Sequence, residues 1–599
     1  MTQRTEKKHP QDPQEVNKME NEVGKFVHQS FSNPATAPMM NELRAYHERF
    51  TKRYRKVVST SPICDMSQIL DLLPPRLVCD RLVREYLSIF EKTMRILHAP
   101  SFLEEFNRFW EPREVRYTGF DAFIPQLSVV LIIASGLRDQ DSSRRDTMER
   151  HLREEIICRY IETWLDSLQG RARLTLSTLQ TQALLTLAQQ VRSAQADRVW
   201  NATGKLVRSS MTAGLHRDPS EFPDVSLFEG ELRRRLWMTV VEMDLQASLL
   251  CGMPIMVHGG DFTCASPVNV DDLDLFDGMR EPPTPKPLDQ LTDSVFQVAL
   301  AGSLLQRLRA VSAAAAGSDN ILTYVTELTR YLQFLPSILR LNSTPAGDFG
   351  HLFGIVMLNI YVRRVLSYLY RSSSLSSPDG DAIPEAQTAG IQSSLTILSY
   401  QNFFDPGAVD SNLGDSIKHW DLFHIFCRGD IMQAALDACL YAQLSSLVPW
   451  TKTGVVLAID STLNCLMRRL SRNGSDVKDA LRLSVVSQFI KSDSIQGNAE
   501  TLMTEGAYNV LMACRQRLPP DHVFTSPRND QVAESTYPAP PPTLQLVSEN
   551  GGVSADLPEG SSGGWYAPFD LPPHVDIDDV VSDSPFLVGL GIDDIYSNL

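Results

Sequence analysis

Glu229–Leu250 reads EGELRRRLWMTVVEMDLQASLL, and its spacing decides the fold class. Leu232, Leu236, Val240, Met243, Ala247 and Leu250 recur at steps of 4, 4, 3, 4 and 3. That period lays apolar side chains along one face of a helix. Arg233, Arg234 and Glu242 fall off the stripe. Outward from this stretch the same texture continues. Thr178–Val191, TLQTQALLTLAQQV, and Ile355–Leu369, IVMLNIYVRRVLSYL, are again built of good helix formers. No alternating strand series and no fixed-period repeat interrupts them. The expected fold is all-α, an irregular multi-helix domain over residues 61–520. Two breaks stand out by their Pro, Ser and Gly content. One is Glu281–Pro287, EPPTPKP. The other is Arg371–Gly380, RSSSLSSPDG, which would divide the helical region in two.

The flanks differ in kind. Residues 1–60 are polar and mixed in charge, expected to be partly disordered, and end in a basic knot, RFTKRYRK. Residues 521–599 carry 13 acidic residues, one basic residue (Arg528) and ten prolines. Such a composition buries too little apolar surface to offset the entropy of ordering, so the tail is expected to be disordered.

Composition bounds the function. The chain has 599 residues, 43% hydrophobic and 21% charged, an ordinary globular balance with ample length for a core. A net charge of −16 argues against a surface that grips nucleic acid everywhere, while leaving room for a small basic module. The longest apolar run, Phe123–Leu137, falls short of the roughly 20 residues of a membrane span, so no membrane partner is expected. The opening MTQRTEKKHPQDPQ has no apolar core of a secretory signal. Nine cysteines, no two closer than 12 positions, fit a reducing compartment and buried thiols.

Catalytic constellations fail on context. His216-Arg217-Asp218 and Asp348-Phe349-Gly350 look like kinase signatures. The first runs into PSEFP without the following asparagine, and no Gly-rich loop precedes it. There is no HExxH, and the one GxSxG match, Gly560–Gly564, falls in the Gly/Ser run of the tail with no strand or helix pattern beside it to make an elbow. Asp415–Cys427, DSIKHWDLFHIFC, offers Asp415 and His419 on one helix face. His424 turns away from them by about 140°, and a core helix with Trp420, Phe423 and Cys427 inward explains the stretch without a metal. No catalytic, cofactor or metal residue is therefore nominated.

Two segments carry interaction signals. Arg49, Lys52, Arg53, Arg55 and Lys56, with Phe50 and Tyr54 between them, read as a nuclear-import or nucleic-acid patch, or as a solvated helix face. Pro62, Pro74 and Pro75 interrupt any zipper downstream. The tail alternates acids, among them Asp578, Asp579, Asp593 and Asp594, with Trp565, Phe569, Phe586 and Leu587. Mutual repulsion keeps these apolar groups available to a partner groove, the composition of an activation segment. The competing reading is an inert solubilising tail.

Five ordered stretches resemble the fungal-specific transcription factor family, the regulatory region found downstream of binuclear zinc-cluster DNA-binding domains. Leu73–Phe102 ends in a turn with His98, Pro100 and Phe102. Leu179–Leu187 is LQTQALLTL. Trp200–Ser220, WNATGKLVRSSMTAGLHRDPS, supplies Trp200, Gly204, Arg208, Gly214, Leu215, His216, Arg217 and Asp218. Arg233–Trp237 supplies Arg234, Arg235 and Trp237, followed by Asp244 and by Cys251–Pro254, with Gly252 and Pro254. Pro267–Asp272 is PVNVDD. The family has Gly-Arg-Pro where Met253 stands here. The resemblance implies a helical regulatory domain, nuclear location and control of transcription, with metabolic or secondary-metabolite genes as targets. The expected partners are transcription machinery or a co-activator through the acidic tail, DNA reached directly or through another protein, and a homo- or heterodimer. The motif residues themselves are expected to be structural. Gly214 would supply a positive φ at a helix end, Arg217 and Asp218 would pair or cap, and Arg233–Arg235 would pair with acids elsewhere. The family's DNA-binding domain needs six clustered cysteines, and this chain has none before Cys64. Zinc is thus expected only with a cysteine-rich segment upstream of this sequence. The rival expectation is a DNA-blind protein that modulates a related factor.

Overall fold

The computed structural model describes residues 18–58, 66–111, 122–136, 144–192, 196–318, 320–341, 348–375, 384–407, 416–444, 449–472, 477–495 and 498–518. Among them there are 19 α-helices and no strand. In order they are α1 (Lys18–Ser32), α2 (Ala37–Val58), α3 (Met66–Leu72), α4 (Arg76–Ile89), α5 (Glu91–Met94), α6 (Ala99–Phe109), α7 (Phe123–Ser135), α8 (Arg144–Ser167), α9 (Leu176–Val191) and α10 (Ala196–Thr212). They continue as α11 (Leu227–Cys251), α12 (Val295–Ala315), α13 (Ile321–Gln333), α14 (Phe349–Leu375), α15 (Pro384–Ser399), α16 (Ser416–Leu444), α17 (Pro449–Arg468), α18 (Val477–Ile495) and α19 (Ala499–Arg517).

The fold is a packing of helices around others that are buried on all sides. Every residue of α7 is buried, in keeping with its largely apolar sequence. Helix α14 is long and apolar enough over Phe349–Ser372 to cross a membrane, yet 78% of that window lies buried inside the protein. It packs against α4, α12, α13, α15 and α16 and serves as a core helix. Helix α11 packs against α9, α10, α12 and α14, and from Arg235 to Leu249 every one of its residues is buried.

That last fact corrects the single-stripe reading of Glu229–Leu250. Neighbours on every side leave no solvent face over the last four turns, so Glu242 is buried rather than exposed. Its carboxylate accepts from Arg307 Nη1 and Nη2 of α12 at 2.6 and 2.8 Å. Gln246 Nε2 donates to the same carboxylate at 2.6 Å, and its Oε1 accepts from Arg364 Nη1 of α14 at 2.7 Å. Arg364 in turn forms a two-pronged pair with Asp430 of α16, both bonds 2.6 Å. Two cations and two anions thus make a neutral chain through four helices. Removing either partner would strand a buried charge, which makes the chain a strong constraint on register.

Two further stretches differ from the sequence expectations. Arg371–Leu375 belongs to α14 rather than to a loop, because Tyr368 and Ser367 carbonyls still accept from Ser372 Oγ and Arg371 Nε. Within the segment read as polar, residues 18–58 form α1 and α2. Val23, Phe26 and Val27 on α1, and Met40, Leu43 and Tyr46 on α2, are buried at helical spacing in the same apolar cluster as the rest. Helix α2 packs on α19, where Arg515 grips Glu42 with bonds of 2.8 and 2.6 Å.

Candidate functional site

The stretches that carried the family resemblance converge on one seam. It joins the end of α10, the length of α11, the start of α6 and the strap of residues 252–294, which carries one short 3₁₀ turn and leads into α12.

Its hub is Asp272, buried on a 3₁₀ turn. The carboxylate accepts from Arg95, from Arg235 Nη1 at 2.7 Å and from the Ala99 backbone N–H at 3.1 Å. Its carbonyl accepts from His98 Nε2 at 3.0 Å. A carbonyl can only accept, so Nε2 carries the proton and Nδ1 is left to accept from Ser101 Oγ, 2.8 Å away. Burial lowers the pKa of His98, which favours this neutral ring. His98 is also the N-cap of α6, with Pro100 in the first turn and Phe102 packed on Phe123. Arg235 reaches on to Ser294 Oγ at 2.9 Å, and its carbonyl accepts from Gln297 of α12 at 2.8 Å. Asp272 stays ionised despite its burial, since the two guanidiniums hold its pKa below the ordinary value.

Beneath the hub lies Glu91. Its carboxylate accepts from Tyr86 Oη at 2.9 Å and from the Leu97 N–H at 2.8 Å. Burial pushes its pKa up to about 7. Arg95, between these acids, takes a φ of +24°, a strained value for a residue with a side chain.

The end of α10 is set by Gly214 at φ +81°. Leu215 N–H returns to the Ser210 carbonyl and Gly214 N–H to that of Met211, the two bonds of a Schellman closure, with Leu215 buried as its apolar anchor. The next turn is fastened to the strap, because the His216 carbonyl accepts from Thr263 and Cys264 N–H at 3.0 and 3.2 Å. Arg217 pairs with Glu221 rather than with Asp218. Asp218 caps the following 3₁₀ turn through Ser220 N–H, accepts from Ala265 N–H at 3.0 Å, and forms a two-pronged pair with Arg234 at 2.9 and 2.8 Å. Arg234 holds the Asp218 carboxyl well below the usual carboxylate range. Arg233 pairs with Glu229 one turn earlier on α11.

The far end of α11 repeats the pattern. Gly252 closes the helix at φ +66°. The Pro254 carbonyl accepts from Trp200 Nε1 at 3.4 Å and from Ser248 Oγ at 3.2 Å. Asp244 Oδ2 accepts from the Met256 N–H at 2.8 Å, and burial pushes its pKa up to about 6. Arg208 on the surface of α10 is among the cations that act on it. Gly204 is buried on α10, and Trp237 is fully buried with its ring near His216 and Phe262.

The chemistry of the seam is fastening. Its acids are matched to arginines and backbone N–H groups, and the kinase-like triplets have plain structural jobs. Asp348 pairs with Lys92 and caps the start of α14 through His351 N–H. Gly350 lies so close to α4 that a Cβ would stand 2.1 Å from the Ser88 carbonyl oxygen. In α16, His424 Nε2 faces Cys465 Sγ at 3.4 Å, and His419 stacks on Phe349 at 3.5 Å between centroids. Asp415 lies outside the described residues. No group of three His, Cys, Asp or Glu is placed to hold a metal among the described residues. The eight described cysteines are buried and unbridged, and the sequence nowhere brings six together, so the residues present do not fit a zinc cluster. Arg49, Lys52, Arg53, Arg55 and Lys56 fall on the last turns of α2, with side chains outside the described residues. The tail, with Trp565, Phe569, Asp578, Asp579, Phe586, Leu587, Asp593 and Asp594, also lies outside them.

Sequence reasoning missed Arg95, Glu91 and Ser294 in this seam, and Arg307, Arg364 and Asp430 in the core. Arginines inside mostly apolar helical runs, as in Leu304–Val311 and Ile360–Leu369, were the signal the sequence offered. Their partners, some 65 residues away, were not visible.

Comparison with known proteins agrees with the geometry. The fungal specific transcription factor domain matches residues 83–332, which hold the whole seam. The transcription factor opdR of Penicillium oxalicum is 30% identical over 367 residues, 59% of this chain and 45% of the relative. The fusarisetin A cluster transcription factor fsa6 of a Fusarium species is 31% identical over 245 residues, 39% of this chain and 32% of the relative. The Zn(2)-C6 fungal-type transcription factor pigI of Monascus ruber is 33% identical over 239 residues, 39% of this chain and 28% of the relative. The aligned stretch spans less than half the length of each. No solved structure matches the chain. Residues 83–332 thus match the fungal specific transcription factor domain, and it is over this stretch that the chain is similar to that family.

Proposed function

We propose that this chain is a nuclear transcriptional regulator that activates genes of a fungal secondary-metabolite or other metabolic pathway, and that it is not an enzyme. The observation that carries the reading is the domain match over residues 83–332, together with relatives named as cluster transcription factors. The tightly fastened seam supports a domain that receives a signal or a partner as one body. In this reading residues 61–520 form the regulatory domain. Arg49, Lys52, Arg53, Arg55 and Lys56 mark the chain for nuclear import. Residues 521–599 recruit transcription machinery or a co-activator through Trp565, Phe569, Phe586 and Leu587, held open by Asp578, Asp579, Asp593 and Asp594. DNA is reached through a partner, or through a zinc-binding segment of the kind named in some relatives. A reporter fusion of residues 521–599 to a heterologous DNA-binding domain tests the tail. Alanine at Trp565, Phe569, Phe586 and Leu587 abolishes its output on this reading, and unchanged output removes it.

The second reading is a DNA-blind protein that modulates a related factor. It predicts co-purification with that factor and lower target expression when the chain is overproduced.

A further inference from the structure

The proline-rich break Glu281–Pro287, EPPTPKP, is used by neither the core nor the regulatory reading. It lies in the strap between α11 and α12, and residues 282–287 form no helix, strand or turn. Pro282, Pro283 and Pro285 fix their own φ and push each preceding residue toward extended backbone. Thr284 between them is exposed, and its hydroxyl makes no hydrogen bond among the described residues. An extended, accessible hydroxyl directly followed by proline, with a second proline two positions before it, has the form that a proline-directed kinase cleft accepts. Proline in the next position brings no N–H needing a partner in such a cleft.

What surrounds the threonine gives the position a consequence. Two residues on, at most about 7 Å of extended chain, Lys286 Nζ donates to Asp271 Oδ2 and to Asp274 Oδ2. One ammonium therefore serves two carboxylates and ties the later limb of the strap to the turn that carries Asp272. Neutral bonds reinforce the tie. Lys286 N–H donates to the Asn269 carbonyl at 2.9 Å, and Asn269 Nδ2 donates to the carbonyls of Lys286 and Pro287. Asp293 closes the far end, accepting from the Asp272 N–H at 3.0 Å.

We propose that Thr284 is the acceptor of a proline-directed protein kinase, and that its phosphate loosens the strap by drawing Lys286 from Asp271 and Asp274. In the transfer, Thr284 Oγ1 forms a bond to the γ-phosphorus of ATP. The bond from that phosphorus to the departing ADP oxygen breaks, and the hydroxyl proton passes to the kinase's catalytic carboxylate. The product carries about −1.5 to −2 charges at neutral pH, a stronger attraction for the ammonium than an exposed carboxylate. Asp271 and Asp274 are then left unpaired beside each other, and Asp277 and Asp293 add like charge. Because Asp272 sits between Arg95 and Arg235, a loosened turn is felt at the starts of α6 and α11. Ser266-Pro267 is the internal contrast: the serine is exposed, but its proline is buried and cannot enter a cleft.

The test uses the purified full chain, an ERK-type proline-directed kinase and ATP, with phosphopeptide mapping and hydrogen exchange over residues 269–293. The proposal expects label on Thr284, its loss in Thr284→Ala, no label on Ser266, and faster exchange across 269–277 once Thr284 is modified. Lys286→Gln reproduces that faster exchange without kinase, and modification then adds nothing further. Thr284 left unlabelled while the kinase modifies a free EPPTPKP peptide overturns the site. Thr284 labelled with exchange across the strap unchanged overturns the mechanism.

Discussion

Arg307 and Glu242 show what a single residue can do in this protein. The pair is fully enclosed, so Arg307→Met leaves a buried carboxylate without its counter-ion. The expected loss is about 3–5 kcal/mol, read as a fall in the urea midpoint. The double variant Glu242→Leu with Arg307→Met recovers most of that loss, because both charges leave together. Two equal midpoints for the single and double variants would contradict the pairing. Glu91 carries a pH signature. Its folded pKa, pushed up to about 7 by burial, exceeds the unfolded value of about 4.3. The folded state therefore holds the proton more tightly. The stability this contributes is complete below about pH 4 and is lost as pH rises through about 7. Glu91→Gln keeps an acceptor for Leu97 N–H and offers a donor to Tyr86 Oη. Thermal unfolding of that variant should show a midpoint raised at pH 8 relative to the wild type, with little difference near pH 4. An identical pH profile in both proteins would remove Glu91 from the account. None of these partners was legible in the sequence. Charges inside helical runs were visible, but pairing is decided by which helices become neighbours.

At the scale of elements, local signals were read well where local chemistry decides. Gly214 after Thr212 announced a helix end because only glycine takes a left-handed conformation without cost. Gly214→Ala should lose about 1–2 kcal/mol for that reason. Gly350 has a different cause, tertiary and invisible beforehand. A methyl group there meets the Ser88 carbonyl at 2.1 Å, and backbone of α4 cannot yield as a side-chain tip can. Gly350→Ala should therefore destabilise more than Gly214→Ala by denaturant unfolding. The reverse order would contradict the close approach of α4 and α14. The stripe on α11 shows the limit of periodicity. A hydrophobic face predicts one buried side, while α11 acquires neighbours on every side and buries Glu242, Asp244 and Gln246 with their partners. The Ser-rich end of α14 failed similarly, since helix continuity there is supplied by backbone and Ser372 bonds rather than by propensity.

For the whole molecule, the all-helical class followed from period and composition, while the meeting of the ordered motif stretches in one seam was seen only in three dimensions. The joining of α1 and α2 to the core did not follow, because a charged, amphipathic pair looks the same whether it packs or stands free. The regulatory reading assigns targeting and activation to different parts of one chain, so it stands or falls on where the chain goes in the cell. The most direct measurement is crosslinked chromatin occupancy of the tagged full chain in its own cell under inducing conditions. The account predicts focal peaks at promoters. No enrichment over an untagged control, with the protein held outside the nucleus, would contradict it.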